Sequence, residues 1–263
     1  MYENLNEHIP DLDRYLERLQ VPRSDRLDKE YLDRLIFAHQ CRIPFENLDI
    51  YDYHRQISLG ISDLYRKVIE NHRGGYCFEL NGLFTQFLRD LGYRATSCIC
   101  RIVRKKDFLP PTLHRGIIVE IDSKYYFCDV GFGGPMPPAA LLIEDGAKAE
   151  LGRETYYIRR ADDFWWTMGR ITSSGERENV IQFYTMPQDN VNFLTMNYYC
   201  SNSPDSAFLQ RRSVNIRTEA GSNSITDRIF TRTVNGETYS KEIESREEMA
   251  SIMQEYFHIP ARI

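Results

Sequence analysis

The chain reads as an α+β protein in three consecutive parts: helices, then strands, then a mixed α/β tail. Three observations lead there. Apolar residues recur at helical spacing up to Gly92, extended runs rich in Val, Ile, Tyr and Phe follow from Tyr93, and the tail joins an Asn-Gly hairpin signal to a capped helix.

In Asp11 to Leu19, Leu12, Tyr15, Leu16 and Leu19 share one helix face, and in Asp28 to His39, Leu32, Leu35, Ile36 and His39 do the same. A third helix is expected to open near Ser62 as N-cap, turn Leu64, Val68 and Ile69 inward, and stop at Gly74-Gly75. A fourth starts around Cys77, carries Leu80, Leu83, Phe84, Phe87, Leu88 and Leu91, and ends at Gly92. Strand composition then covers Tyr93 to Val103 and His114 to Asp129, the latter folding back at Asp122-Ser123. Thr155 to Arg159 and Val180 to Tyr184 continue the β part. Near the end, Thr231 to Val234 and Thr238 to Lys241 flank Asn235-Gly236, and Ser245-Arg246-Glu247-Glu248 forms a capping box opening a helix through Phe257. The parts expected are residues 1–92, 93–196 and 197–263.

At 263 residues and 42% hydrophobic content the chain can bury a substantial core, and 13% aromatic residues argue against disorder. The net charge of -5 excludes a general nucleic-acid binder, which would neutralise phosphate with a basic surface. Met1 to Pro10 has no basic segment leading into an apolar stretch, and no long uncharged apolar run follows. The expectation is a cytoplasmic protein with no secretory signal and no membrane span. The six cysteines (Cys41, Cys77, Cys98, Cys100, Cys128, Cys200) are scattered, as free thiols are in a reducing compartment. Cys98 and Cys100 share a strand face without a second ligand pair nearby, so core thiols are expected and no metal.

Cys77 directly follows a glycine-rich turn, His72-Arg73-Gly74-Gly75-Tyr76, at a helix start. Free amide N–H groups and the positive helix end there favour a thiolate, the nucleophilic form, and can receive an oxyanion. A base is required. His114 begins one strand and Asp129 ends the next. With a two-residue turn at Asp122-Ser123, Ile121 pairs with Lys124 and Gly116 with Asp129, which puts His114 and Asp129 on one sheet face. Asp129 is then expected to accept from one imidazole nitrogen while the other faces Cys77. The order Cys, His, Asp is that of papain-like and transglutaminase-like cysteine enzymes.

These residues also resemble a known family. Arg73-Gly74-Gly75-Tyr76-Cys77-Phe78-Glu79-Leu80-Asn81 is similar to the nucleophile motif of arylamine N-acetyltransferases. Ile43-Pro44-Phe45-Glu46-Asn47-Leu48 resembles their upstream signature, and Asp129-Val130-Gly131-Phe132-Gly133 their aspartate motif. Asn197 to Phe208 is similar to the segment joining the family's barrel to its third domain. The resemblance implies a papain/transglutaminase-like fold: a helical domain, a β-barrel domain and an α/β lid. It implies acetyl transfer from acetyl-CoA through Cys77 to an arylamine, arylhydroxylamine or hydrazine. Phe45 and Phe132 are implied to line the acceptor pocket, and Gly131, Gly133, Gly134 and Phe208 to meet coenzyme A. Two positions depart from the pattern: Leu113 stands where Thr is common before the histidine, and Arg115 where an apolar residue is more usual. Both bear on the coenzyme A contacts beside His114 and on acyl-chain choice.

Arg73 and Glu46 are expected to form a buried ion pair tying the nucleophile loop to the Phe45 loop. The run Arg101, Arg104, Lys105, Lys106 reads as a solvated loop, with coenzyme A phosphates as the alternative contact. Trp165-Trp166 reads as core or rim packing.

Overall fold

The computed structural model describes residues 2–260. Met1 and residues 261–263, the outer ends of the first and third expected parts, lie outside the described residues.

Helix α1 (Leu12–Leu19) is capped by the Asp11 carboxylate, which accepts from the Arg14 N–H, and α2 (Lys29–Arg42) is capped in the same way by Asp28. Strand β1 (Phe45–Glu46) and α3 (Leu48–Tyr51) follow, then α4 (Ile61–Tyr65), which runs on into a π-helical turn over Arg66–Glu70. The expected Ser62 cap is corrected: Gly60 is the N-cap, and the Ser62 hydroxyl donates to Glu7 instead. The helix must open early enough to turn Ile61 into the core. Helix α5 (Cys77–Leu91) is buried on every side from Cys77 to Leu88 and ends where Gly92 takes a left-handed φ of 111°.

Eight strands form one antiparallel sheet: β2 (Arg94–Ile102), β3 (His114–Ile121), β4 (Lys124–Cys128), β5 (Leu141–Leu142), β6 (Lys148–Leu151), β7 (Glu154–Arg160), β8 (Trp165–Ile171) and β9 (Arg177–Tyr184). Their order is β5-β4-β3-β2-β9-β8-β7-β6, and the sheet curls until β5 lies against β7, a nearly closed barrel. The β3–β4 hairpin turns on Asp122 and Ser123, both at positive φ, and pairs Ile121 with Lys124 as the sequence predicts.

Helices α6 (Phe193–Asn202) and α7 (Ala207–Gln210) lead to β10 (Ser213–Thr218), β11 (Gly221–Thr226), β12 (Ile229–Val234), β13 (Glu237–Glu242) and α8 (Arg246–Phe257). Helix α6 spans the 196/197 boundary drawn from the sequence. The Asn235-Gly236 hairpin forms, and the Ser245 hydroxyl caps α8 by accepting from Glu248 N–H at 3.0 Å. The second sheet runs β1-β10-β11-β12-β13, so the IPFENL segment supplies its edge strand from the opposite end of the chain.

Strand β3 separates two cores. Ile117 and Val119 join Leu80, Leu83, Phe84 and Phe87 of α5 on the helical side. Ile118 joins Cys98, Cys100, Phe127 and Phe183 inside the barrel. Alternation along a strand therefore decides which side chain meets which layer.

Candidate active site

Cys77, His114 and Asp129 are each 2% exposed or less. His114 shares the barrel-side parity of Ile118, and Asp129 that of Phe127, so the hairpin register puts both on one face. Asp129 Oδ2 lies 2.5 Å from His114 Nε2. The second ring nitrogen is left for the cleft, which His114 and Cys77 line together. Among the described residues no hydrogen bond joins the Cys77 sulfur to the imidazole.

Asp129 is held from three sides. Its Oδ1 accepts from Asn81 Nδ2 at 2.9 Å and from Gly131 N–H at 2.8 Å, and its main-chain carbonyl accepts from Gln40 Nε2 at 3.0 Å. Asn81 also donates to the Arg115 carbonyl at 2.6 Å and accepts from Val130 N–H at 2.8 Å. It stands four residues after Cys77 on α5, the spacing that stacks side chains on one helix face. That spacing is the signal by which its role could have been found from sequence. Arg217 on β10 donates to Gln40 Oε1 at 2.8 Å, so the terminal sheet braces the Asp129 turn through Gln40.

Burial pushes the Cys77 thiol well up, and Cys200 and Asp129 act in the same direction. Main-chain groups of Arg115 and Phe78 pull the other way. The Phe78 peptide at the start of α5 thus acts toward the thiolate, the direction expected of a helix start, while burial acts against it.

The predicted Arg73–Glu46 pair is present at 2.8 Å within a larger cluster. Lys67 Nζ lies 2.7 Å from both Asp49 and Glu79, and Arg73 lies 3.3 Å from Asp49. The Glu79 carboxylate also accepts from the Tyr76 N–H at 3.0 Å, which fixes the first turn of α5 beside Cys77. Burial pushes Glu79 up, with Lys67 opposing. No spacing in the sequence announces Lys67 or Asp49.

The cleft encloses about 200 Å³. Phe45, Phe132, Gly133, Phe208 and Leu113 line it with Cys77 and His114, and so do Ile102, Ala207, Arg211 and Ser213, which were not singled out from sequence. Gly133 has φ 68°, and a Cβ there would lie 2.4 Å from the Phe45 ring, so glycine is required on two counts. Gly131 and Gly134 do not line the cleft: Gly131 packs on the Cys77 backbone and Gly134 on the Phe132 ring. Leu113 is part of the apolar wall. Arg115 is not beside it, contrary to expectation. Its parity turns the side chain to the helical layer, where Nη2 donates to Ser97 Oγ at 2.6 Å and to Asn190 Oδ1 at 2.5 Å.

Arg101 stacks on Trp165, 3.8 Å from the ring centroid, and Arg104 pairs with Glu178 at 2.9 Å, so half of the basic run is engaged within the barrel wall. Cys98 and Cys100 are buried free thiols with sulfurs 3.8 Å apart. Among the described residues no helix is long and apolar enough to cross a membrane.

Comparisons with known proteins bear on the chain as a whole. A family model described as N-acetyltransferase matches residues 28–262. The chain is 42% identical over 127 residues to the arylamine N-acetyltransferase / N-hydroxyarylamine O-acetyltransferase of Salmonella typhimurium, covering 48% of this chain and 43% of that relative. It is 31% identical over 201 residues to the arylamine N-acetyltransferase of Escherichia coli, covering 76% and 70%. Its structure is similar to that of Mycobacterium marinum arylamine N-acetyltransferase in complex with CoA, with TM-score 0.87 and 26% identity over 95% of this chain and 93% of that one. With the family model spanning most of the sequence and the fold shared along nearly its whole length, the chain belongs to the arylamine N-acetyltransferase family.

Proposed function

We propose that this enzyme moves an acetyl group from acetyl-CoA to arylamines, arylhydroxylamines or hydrazines in two half-reactions through an acetyl-Cys77 thioester. The observation that carries the reading is the buried Cys77, His114 and Asp129 arrangement at the floor of an apolar, phenylalanine-walled cleft. Asp129 holds the imidazole in one tautomer through Nε2, so Nδ1 is the atom free to take the Cys77 proton. Burial works against an isolated thiolate at Cys77, and His114 is the base placed to take its proton. Closure of the sulfur onto the imidazole belongs to the substrate-bound state, in which catalytic hydrogen bonds tighten.

In the first half-reaction the thiolate attacks the thioester carbonyl. Peptide N–H groups at the start of α5 meet the oxyanion, and the departing coenzyme A thiolate recovers the proton from His114. In the second, His114 takes a proton from the attacking amine, the tetrahedral adduct collapses, and Cys77 leaves as the thiol side of the Cys77–His114 couple. Phe45 and Phe132 give the acceptor's ring two aromatic walls, with the His114–Phe132 edge contact at 5.7 Å holding the second in place. Gly131, Gly133, Gly134 and Phe208 are assigned to coenzyme A, with Gly131 and Gly134 acting through the backbone shape of the turn. The setting assigned is cytoplasmic, and the division assigned is a helical domain over 1–92, a barrel domain over 93–196 and a lid over 197–263.

Incubation with acetyl-CoA alone, followed by intact-mass and peptide analysis, tests the reading. One acetyl group on Cys77, discharged on adding an aniline or hydrazine acceptor, is expected. An unmodified Cys77, or turnover surviving in Cys77→Ala, overturns it.

A further inference from the structure

The Arg115 guanidinium is buried, and among the described residues it has no acidic partner. Its hydrogen bonds go to neutral oxygens: Nε and Nη2 to Ser97 Oγ at 3.0 and 2.6 Å, and Nη2 to Asn190 Oδ1 at 2.5 Å. The Phe193 ring lies beneath it, 4.4 Å from Cζ. On the remaining side it packs on α5 at Gly82, where a Cβ would come within 2.8 Å of Nη1. An unpaired buried cation is costly, and folding tolerates it only with donors satisfied.

The same residue touches the catalytic centre through its main chain. The Arg115 carbonyl accepts from Asn81, which holds Asp129, and the Arg115 peptide acts on the Cys77 sulfur in the direction that favours the thiolate. Gly82 is five residues from Cys77, about 7.5 Å along the helix at the usual rise. The titratable groups that act on Cys77 are Tyr76, Cys100, Cys200 and Asp129, with His114 across the cleft; Arg115 is the guanidinium among them. Arg89 acts on Arg115 in turn, and together with burial it brings Arg115 down to about 9.

We propose that Arg115 is a positioning residue for the nucleophile: a clamped, uncompensated positive charge behind α5 that favours the Cys77 thiolate and fixes the peptide linking His114 to the Asn81–Asp129 bond. The proposal rests on Cys77 being the nucleophile. It deepens that assignment by naming what offsets the desolvation of the sulfur.

The test is the rate of Cys77 alkylation by iodoacetamide between about pH 5 and 8, below the range in which Arg115 discharges, with the modified site read by mass spectrometry. Arg115→Met removes the charge, and Arg115→Lys keeps it. Asn190→Asp keeps the clamp but sets a carboxylate on the guanidinium, at the cost of the Asn190 Nδ2 bonds to the Leu5 carbonyl and to Asn6 Oδ1. A fixed charge at roughly 8–10 Å in an effective dielectric near 20 predicts alkylation about 15–30-fold slower at neutral pH in Arg115→Met, and a slowing in the same direction in Asn190→Asp. The profile should move to higher pH, with recovery in Arg115→Lys. Wild-type profiles in Asn190→Asp and in folded Arg115→Met would overturn the proposal, and if Arg115→Met does not fold, Asn190→Asp decides alone. Wild-type protein alkylated elsewhere than Cys77 would instead count against the nucleophile assignment.

Discussion

Asn81→Ala probes the core of the site most directly. The side chain makes three buried hydrogen bonds: to the Arg115 carbonyl, to Asp129 Oδ1 and from Val130 N–H. Truncation strands one main-chain acceptor and one main-chain donor, each worth about 1 kcal/mol or more when buried and unsatisfied, and removes one bond to a carboxylate worth about 1.5–3 kcal/mol. The expected loss is about 3–5 kcal/mol. With a urea slope of about 3 kcal/mol per molar for a chain of this size, the unfolding midpoint should fall by about 1–1.7 M. Asp129 keeps its Gly131 and His114 contacts, so the triad is loosened rather than dismantled. A misplacement of this kind is expected to lower kcat/KM about 10–100-fold. Urea titration of both proteins, together with steady-state kinetics, gives both numbers. A midpoint shift under about 0.3 M with unchanged kinetics would refute the account, because it would mean the three bonds carry neither stability nor alignment.

Asp129→Asn should leave the fold intact and reduce kcat by about 10³–10⁴, since an amide facing Nε2 no longer holds the required tautomer; a loss confined to KM would contradict that. Lys67→Met should cost about 3–5 kcal/mol, because it leaves Glu79 and Asp49 buried without their shared cation, whereas Arg14→Met, which breaks a half-exposed pair, should cost under about 1 kcal/mol. Thermal melts of the two variants side by side check the contrast. His39 is wholly buried against Phe84, and burial brings it down to about 3 from its ordinary 6.5. Between those values the unfolded chain binds a proton and the folded chain does not. Stability should therefore be full above 6.5 and fall toward 3, by up to about 1.4 kcal/mol per pH unit. His39→Leu should flatten that slope in urea titrations at pH 7 and below, and an unchanged slope would assign the acid sensitivity elsewhere.

Local rules were enough for much of this protein. Helix spacing located α1, α2 and α5, and Asn235-Gly236 located the β12–β13 hairpin, because side-chain periodicity and turn chemistry act over a few residues. The hairpin register also followed from sequence, since a two-residue turn leaves one pairing and so fixes that His114 and Asp129 share a face. His114 and Asp129 were legible for that reason, and Cys77 from its place after a glycine-rich turn at a helix start. Tertiary structure decided what depends on partners far along the chain. The Ser62 cap failed because Ile61 had to be buried. Phe45–Glu46 became an edge strand only on meeting β10, more than a hundred residues later. Lys67 gathered two carboxylates that no spacing connects. Arg115 gave the sharpest difference: its type and place beside His114 suggested the cleft, but strand alternation sent it into the helical layer toward Ser97 and Asn190. Which face of a strand is solvent, cleft or core is set by the layer packed against it, and that layer exists only in the folded molecule.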